Sequence, residues 1–500
     1  MTIIDPRSPC IVGIGRATWR DDHALEPLSM WAEVAARAAT DAGLPSILSS
    51  IDSLHLVHCM SWTYDDAAQR LGELVGAAPG FAETSVLAGT AGQRLVNSAA
   101  ERMLAGSSEL ALVVGGEALN TRRRLAAAGL PLPWSHPAEH APSAPINLDE
   151  WVSPTEWAHD VLQPSVTFAA LDSALQAASG RSPKEHVALE GRLLSRLSAV
   201  AARNEHAWFP VCRPPEEVTT VTDTNRMISS PYAKYMVAIM DVDMAAALLM
   251  TTHRKADELG IPADQRVYLR GWSFGRDATH LAGRASLSRS RAMELASRDA
   301  LQQADLGIDD VAHLDLYSCF ASSVLFATNA LGIDSDDARG LTVTGGLPYH
   351  GGPASNYTTH AIAEMVTRLR GNSQTYGLVN GVGMHMTKHV WAVYGSEPGP
   401  VAPPDYDEVQ RQIDLEPGSE VLQELTAPLH ATIAAATTTF GRDGSPSSAL
   451  VIADVTDDVR AYARTTDPEL VASVLEGAAV GQAVTLRPAG SGAHDVTLRT

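Results

Sequence analysis

The 500-residue chain carries 37 Lys and Arg against 58 Asp and Glu, a net charge of −21. Such a surface repels phosphate backbones and anionic membranes, which excludes nucleic acid as a general partner. Hydrophobic residues at 45% and charged residues at 19% describe an ordinary globular chain, long enough for roughly two to four domains.

Its four cysteines, Cys10, Cys59, Cys212 and Cys319, form neither a CxxC pair nor a disulfide-dense pattern, so a reduced, cytoplasmic setting is expected. The opening "MTIIDPRSPCIVGIG" lacks an extended apolar region, and no uninterrupted run of about 18 apolar residues follows. Neither a secretory signal nor a membrane span is expected.

In chain order, "WAEVAARAATDAGLPSILSSIDSLHLVHC" (31–59) predicts an Ala-rich helix, a turn and a short strand ending at Cys59. "GQRLVNSAAERMLAGSSELALVVGGEA" (92–118) predicts a second helix and an apolar strand ending in Gly115-Gly116. Residues 120–235 are poorer in strands and richer in Pro, Trp and long helical runs, as an inserted loop domain would be. "DVDMAAALLMTTHRKADELG" (241–260) is read as opening a second half. There "RAMELASRDALQQADLGIDDVAHLDLYSC" (291–319) repeats the first plan and "THAIAEMVTRLRGNSQTYGLVNGVG" (359–383) the second. Helices alternating with fully apolar strands predict sheets covered on both faces, hence a duplicated, layered α/β/α/β/α body.

After the Pro-rich "VYGSEPGPVAPPDYDEV" the composition shifts to short strands around the hairpin signal "GRDGSP". Five or so strands with one helix suit a small OB-like β-barrel. Residues 401–500 hold 15 Asp and Glu against 6 Arg and no Lys, against the basic groove a nucleic-acid reader needs.

The two βαβ-type halves, "GGEA", "DLYSCF", "GGLPYHGGP" (345–353), "NGVG", "NRMISSPYAKYM" (225–236) and "MTKH" together resemble the thiolase superfamily over about residues 8–397. The likeness is strongest to sterol-carrier-protein-type thiolases and actinobacterial thiolase-like proteins. It implies a thiolase-like N-terminal half (1–119), the inserted loop domain (120–235), a C-terminal half (236–397) and the OB-like barrel (403–500). It also implies acyl-CoA as substrate, coenzyme A entering only as part of that substrate, no other cofactor, no metal, and a possible homodimer.

Thiolases form or break a C–C bond beside a CoA thioester with a cysteine thiolate at a helix N-terminus, oxyanion holes and a second cysteine as acid/base. Carried over by motif, the nucleophile falls at Gly89 in "LAGTAGQ", with no cysteine near; Thr90 is read as a helix cap. Tyr317 stands at the Asn or His of the second loop, and Cys319 is read as a packing residue. In the third loop the histidine position aligns near Gly352, with His350 two residues earlier and Tyr349 and Tyr357 beside it. The fourth loop offers Asn380, Gly381 and His385 but no cysteine; Lys388 and His389 are read as structural.

The candidate catalytic residues are therefore Tyr317, His350 and His385, and the candidate substrate-binding residues Gly89, Tyr349, Gly352 and Asn380. Without the cysteines a cysteinyl acyl-enzyme is excluded. The preferred reading is retro-aldol cleavage of a β-hydroxyacyl-CoA in lipid or steroid metabolism, since some thiolase-like steroid aldolases use tyrosines in these loops beside an OB-fold partner. A non-catalytic acyl-CoA or lipid carrier and an acyltransferase without a covalent step remain open. Convergence of the Tyr317 hydroxyl with His350 would separate catalysis from carriage.

Overall fold

The computed structural model describes residues 4–20, 25–139, 151–372, 374–441, 443–490 and 492–499. Part of the inserted segment, 140–150, lies outside the described residues.

Eleven strands precede the C-terminal tail: β1 (Pro9–Thr18), β2 (Ser53–Leu56), β3 (Phe81–Thr84), β4 (Leu110–Ala118), β5 (Met227–Ser229), β6 (Tyr232–Ala233), β7 (Asp243–Thr252), β8 (Val267–Arg276), β9 (Val311–Asp315), β10 (Tyr376–Gly383) and β11 (Lys388–Gly395). Nine of them form one path, β3-β2-β4-β7-β1 followed by β8-β11-β10-β9. The two runs join where Cys10 and Ile11 face Tyr268 and Val267. Outward from that junction the pairings repeat: β1–β7 and β8–β11 are antiparallel, as are β7–β4 and β11–β10, while β4–β2 and β10–β9 are parallel. This is the duplication that the sequence repeat implies.

Helices Ala91–Leu104 and Tyr357–Leu369 pack against each other between the two sheet halves, while Pro27–Asp41 and Arg291–Gln303 cover the outer faces. Five layers result. Strands β4 and β7 are buried along their whole length, as sheets covered twice require. The outer helices come close because glycines line the strands beneath them. A Cβ on Gly15 would strike the Val34 carbonyl, and one on Gly271 the Ala300 carbonyl, at corresponding places in the two halves.

One expectation about the halves is corrected. Residues 243–252 do not open the second half: β7 lies between β4 and β1 and completes the first, so the second begins at β8. Its apolar run "MAAALLM" is a buried centre strand rather than an outer one. Among the described residues the second half also lacks a counterpart of β3. Residues 342–344 run beside β9, but Val343 N and Thr344 N donate to Asp315 Oδ2 (2.9 and 3.2 Å) instead of to a strand. A buried carboxylate has captured the backbone donors a ladder would use.

The tail contributes β12 (Glu420–Val421), β13 (Leu429–Phe440), β14 (Pro446–Asp454), β15 (Val459–Thr465), β16 (Ala483–Gly490) and β17 (Ala493–Leu498). Strands β13-β14-β15-β17-β16 close on themselves through β16–β13, giving a small five-stranded barrel with its own core of Ile433, Val451, Leu470, Val484 and Val496. The barrel begins later than residue 403. Helix Tyr406–Asp414, ahead of the barrel strands, packs on β8 and on helix Arg291–Gln303. The inserted segment seats the barrel: helix Pro164–Ala178 lies along β13, and the β5–β6 hairpin adds to its end at Ser229–Thr439. Among the described residues no helix is long and apolar enough to cross a membrane.

Candidate functional site

The loop after β3 meets the ends of β9 and β10 at Gly89. A Cβ on Gly89 would lie 2.6 Å from Tyr317 Cζ and closer still to the Tyr317 hydroxyl and the Val382 carbonyl oxygen. The volume that a side chain at position 89 would need is thus filled by the Tyr317 phenol. Tyr317 is 6% exposed, and burial, then the neighbouring Cys319, raises its pKa far above the ordinary tyrosine value. It stays protonated and can donate but not accept a proton at neutral pH. Gly89 itself is only half-buried, so the corner opens on one side.

Asn380 fixes the tyrosine. Its Oδ1 accepts Tyr317 N at 2.7 Å, leaving Nδ2 as a buried donor without a partner. Tyr317 packs edge-on against Tyr357 with ring centroids 5.4 Å apart. Tyr357 in turn is held by Thr344 Oγ1 at 2.6 Å and donates to Asp315 Oδ1 at 2.9 Å. Its role is to brace, not to react.

The other candidates do not gather here. His350 is buried, with neither ring nitrogen hydrogen-bonded, and packs on Tyr357 and His360 at 6.0 and 5.2 Å rather than on Tyr317. Burial, then the charges of Arg16, His206 and Arg20, lower its pKa to about 3, so the ring is neutral. The expected meeting of the tyrosine hydroxyl with His350 is not present. The glycine-rich bend, with Gly345, Gly346 and Gly351 all at positive φ, turns the chain inward and carries His350 with it. Tyr349 is buried with its hydroxyl unpartnered and feels Arg213 and Glu217 of the inserted segment. Gly352 is a packing position, where a Cβ would come 3.0 Å from Leu347 Cδ2. His385 faces the Leu162 backbone and Glu156, away from the tyrosine corner. Thr90 does begin helix Ala91–Leu104, but its side chain makes no capping bond. Burial pushes the Cys319 thiol up to about 12, as an inert packing residue requires. His389 is structural, with Nε2 3.2 Å from Asp277 Oδ2 and 3.1 Å from the Met386 carbonyl.

No curated protein matches the chain by sequence. The description of a thiolase-like protein type 1 additional C-terminal domain matches residues 408–491. Among solved structures, a monomeric SCP2-thiolase like protein type 1 from Mycobacterium smegmatis is 29% identical, with a TM-score of 0.86, covering 99% of this chain and 100% of its own. Over its whole length the chain is thus similar to an SCP2-thiolase-like protein and shares the thiolase fold. Two further structures share the thiolase fold at lower identity. The Ltp2-ChsH2(DUF35) aldolase is 18% identical with a TM-score of 0.61, covering 79% of this chain and 99% of its own. The dimeric peroxisomal thiolase of Saccharomyces cerevisiae is 13% identical with a TM-score of 0.59, covering 79% and 98%.

Sequence reasoning missed one feature of this thiolase-like chain. A cleft of about 460 Å³ opens at the carboxyl ends of β2 and β3, with Trp31, Cys59 and Trp62 in its wall. Behind it Glu117 accepts Met60 N at 2.7 Å and Ser61 N at 2.8 Å, and also the Ser61 hydroxyl. The signal was the glutamate of "GGEA" at the end of an otherwise apolar strand. Burial raises the Glu117 pKa to about 7. A carboxyl that holds its proton more tightly when folded stabilises fully below its unfolded pKa and loses that contribution as pH rises through the folded value. Stability should therefore fall between about pH 4.5 and 7 by about 3 kcal/mol from this group. Denaturant titrations of Glu117→Gln across that range should show a flatter profile than the parent; identical profiles would contradict the assignment.

Proposed function

We propose that the chain takes a CoA thioester at the Gly89–Tyr317 corner and cleaves a β-hydroxyacyl-CoA by a non-covalent retro-aldol step. One observation carries this reading: the Tyr317 phenol stands in the volume that the family's nucleophile side chain would fill. In such a step the bond between the α and β carbons breaks, and its electron pair remains on the α carbon as the thioester enolate. The β carbon becomes a carbonyl, and the hydroxyl proton passes to a base and then to the α carbon. A buried, protonated phenol suits the enolate oxygen, and Asn380, whose Oδ1 holds the Tyr317 backbone, keeps an unpartnered Nδ2 as a candidate second donor. Neither His350 nor His385 meets this tyrosine, so in this reading a water entering on the open side of Gly89 takes the hydroxyl proton as it hands one of its own to the α carbon, a relay that forms no free hydronium. That one fold neighbour is an aldolase supports the reaction class. A monomer suffices for this chemistry, because every group named comes from one chain.

One observation favours a second reading, an acyl-CoA or lipid carrier: the histidine of the third loop is sequestered without a partner, which carriage tolerates and proton transfer to His350 does not. Incubating the parent and Tyr317→Phe with a panel of β-hydroxyacyl-CoA esters, and following cleavage products by mass spectrometry, separates the two. Losing one donor to a developing oxyanion typically costs about 10²–10³-fold in rate, so Tyr317→Phe should slow cleavage by that order with CoA affinity nearly intact. Equal turnover would remove Tyr317 from the chemistry, and no turnover by the parent would favour the carrier.

A further inference from the structure

Helices Pro164–Ala178 and Pro183–Ala201 of the inserted segment carry Asp172 on one arm and His186 and Glu190 on the other. His186 and Glu190 are four residues apart and share one helix face. One ligand atom from each of the three lies within 4.8 Å of the others. All three side chains are fully buried, at 1%, 2% and 0% exposure. His186 Nε2 stands 2.9 Å from Asp172 Oδ1 and 4.0 Å from Glu190 Oε1.

This is not a satisfied polar network. Both oxygens of Glu190 and Asp172 Oδ2 are buried without a hydrogen-bond partner. The groups around them help only in part: the Tyr232 hydroxyl is committed to Ser322 Oγ at 2.7 Å, and the Arg181 charge offsets some of the Glu190 charge through space, with its own Nη1 buried without a hydrogen-bond partner. A carboxylate with both oxygens unbonded, beside one bonded at a single oxygen, is costly in a dry interior unless a cation or a proton neutralises the pair.

We propose that Asp172, His186 and Glu190 bind one divalent transition-metal ion of the zinc, manganese or iron(II) kind, which clamps the two helices together. One imidazole with two carboxylates favours such ions over magnesium or calcium, and the two carboxylate charges balance a 2+ ion. Ligand atoms about 2.0–2.2 Å from one ion sit about 3 Å apart at adjacent octahedral positions and about 3.3–3.6 Å apart in a tetrahedron, so the 2.9 Å between His186 Nε2 and Asp172 Oδ1 fits the first as it stands and the second after a slight opening. A small rotation brings the unbonded Glu190 carboxylate to the third position. The clamp would be structural, because helix Pro164–Ala178 is the seat of the barrel strand β13. It is independent of the chemistry proposed at Tyr317.

The full chain, expressed in medium supplemented with zinc, manganese and iron and then dialysed against a chelator, can be assayed for bound metal by elemental analysis. One equivalent is expected in the parent and none in Asp172→Asn or Glu190→Gln, with a higher thermal midpoint for loaded than for metal-depleted parent. A parent that retains no metal and whose midpoint none of the three ions raises would overturn the proposal. So would a Glu190→Gln protein that keeps the metal, or one that is metal-free and as stable as an equally metal-free parent, the result a shared proton between the carboxylates would give. Should Asp172→Asn fail to fold, the parent's metal content and the isosteric Glu190→Gln still decide.

Discussion

Gly89→Cys, the substitution that would restore the family's nucleophile position, is expected to destabilise the fold and confer no thiolase activity. The new Cβ would meet the Val382 carbonyl and the Tyr317 ring, and neither withdraws easily: one is backbone of β10, and the other is packed edge-on against Tyr357 on a backbone anchored by Asn380. Overpacking a dense interior typically costs about 1–3 kcal/mol, and with backbone as one partner about 3 kcal/mol or more is expected here. Gly89→Ala should cost nearly as much, since the clash begins at the Cβ. Adding Tyr317→Ala should recover only part of it, because the Val382 oxygen remains. Urea denaturation of the three variants reads this out directly. A Gly89→Ala protein as stable as the parent would mean that the tyrosine does not fill the nucleophile's place.

Asp315→Ala carries the second large effect. Its Oδ2 accepts Thr342 Oγ1 at 2.8 Å as well as Val343 N and Thr344 N, and its Oδ1 accepts the Tyr357 hydroxyl. Removing the carboxylate strands Val343 N and leaves Thr344 N and the Thr342 and Tyr357 hydroxyls with only the bonds they make among themselves and to Thr344 Oγ1. A buried donor left unsatisfied costs about 1–3 kcal/mol, so a loss of about 4 kcal/mol is expected after partial relaxation. Tyr357→Phe, which removes one of these donors, should cost only about 1 kcal/mol. Comparable losses in the two variants would show that the 342–344 segment does not hang on Asp315.

How much of this was legible in the sequence follows from the kind of signal involved. The repeat of helix, turn and apolar strand read out the two halves, because strands buried on both faces must be apolar throughout. Which strand returns to which half was not legible: β7 and an outer strand have the same composition, and only pairing tells them apart. The missing edge strand of the second half was hidden because a buried aspartate, not a Gly or Pro, breaks the ladder. At the site, motif alignment located Gly89, Tyr317 and Asn380, which do come together. It could not show that His350 turns into the core, since a displacement of two residues in a glycine-rich bend leaves the side chain's direction to the backbone angles. The helix hairpin holding Asp172 against His186 and Glu190 gave only its own i,i+4 half in sequence.

The central claim is that a tyrosine has replaced the nucleophile and that any reaction here proceeds without an acyl-enzyme. Rapid quenching of the full chain after mixing with acetyl-CoA, followed by intact mass and peptide mapping, tests it most directly. The account predicts an unmodified protein at all times. A stable acyl adduct on any side chain between residues 86 and 93, or on Tyr317, would contradict it.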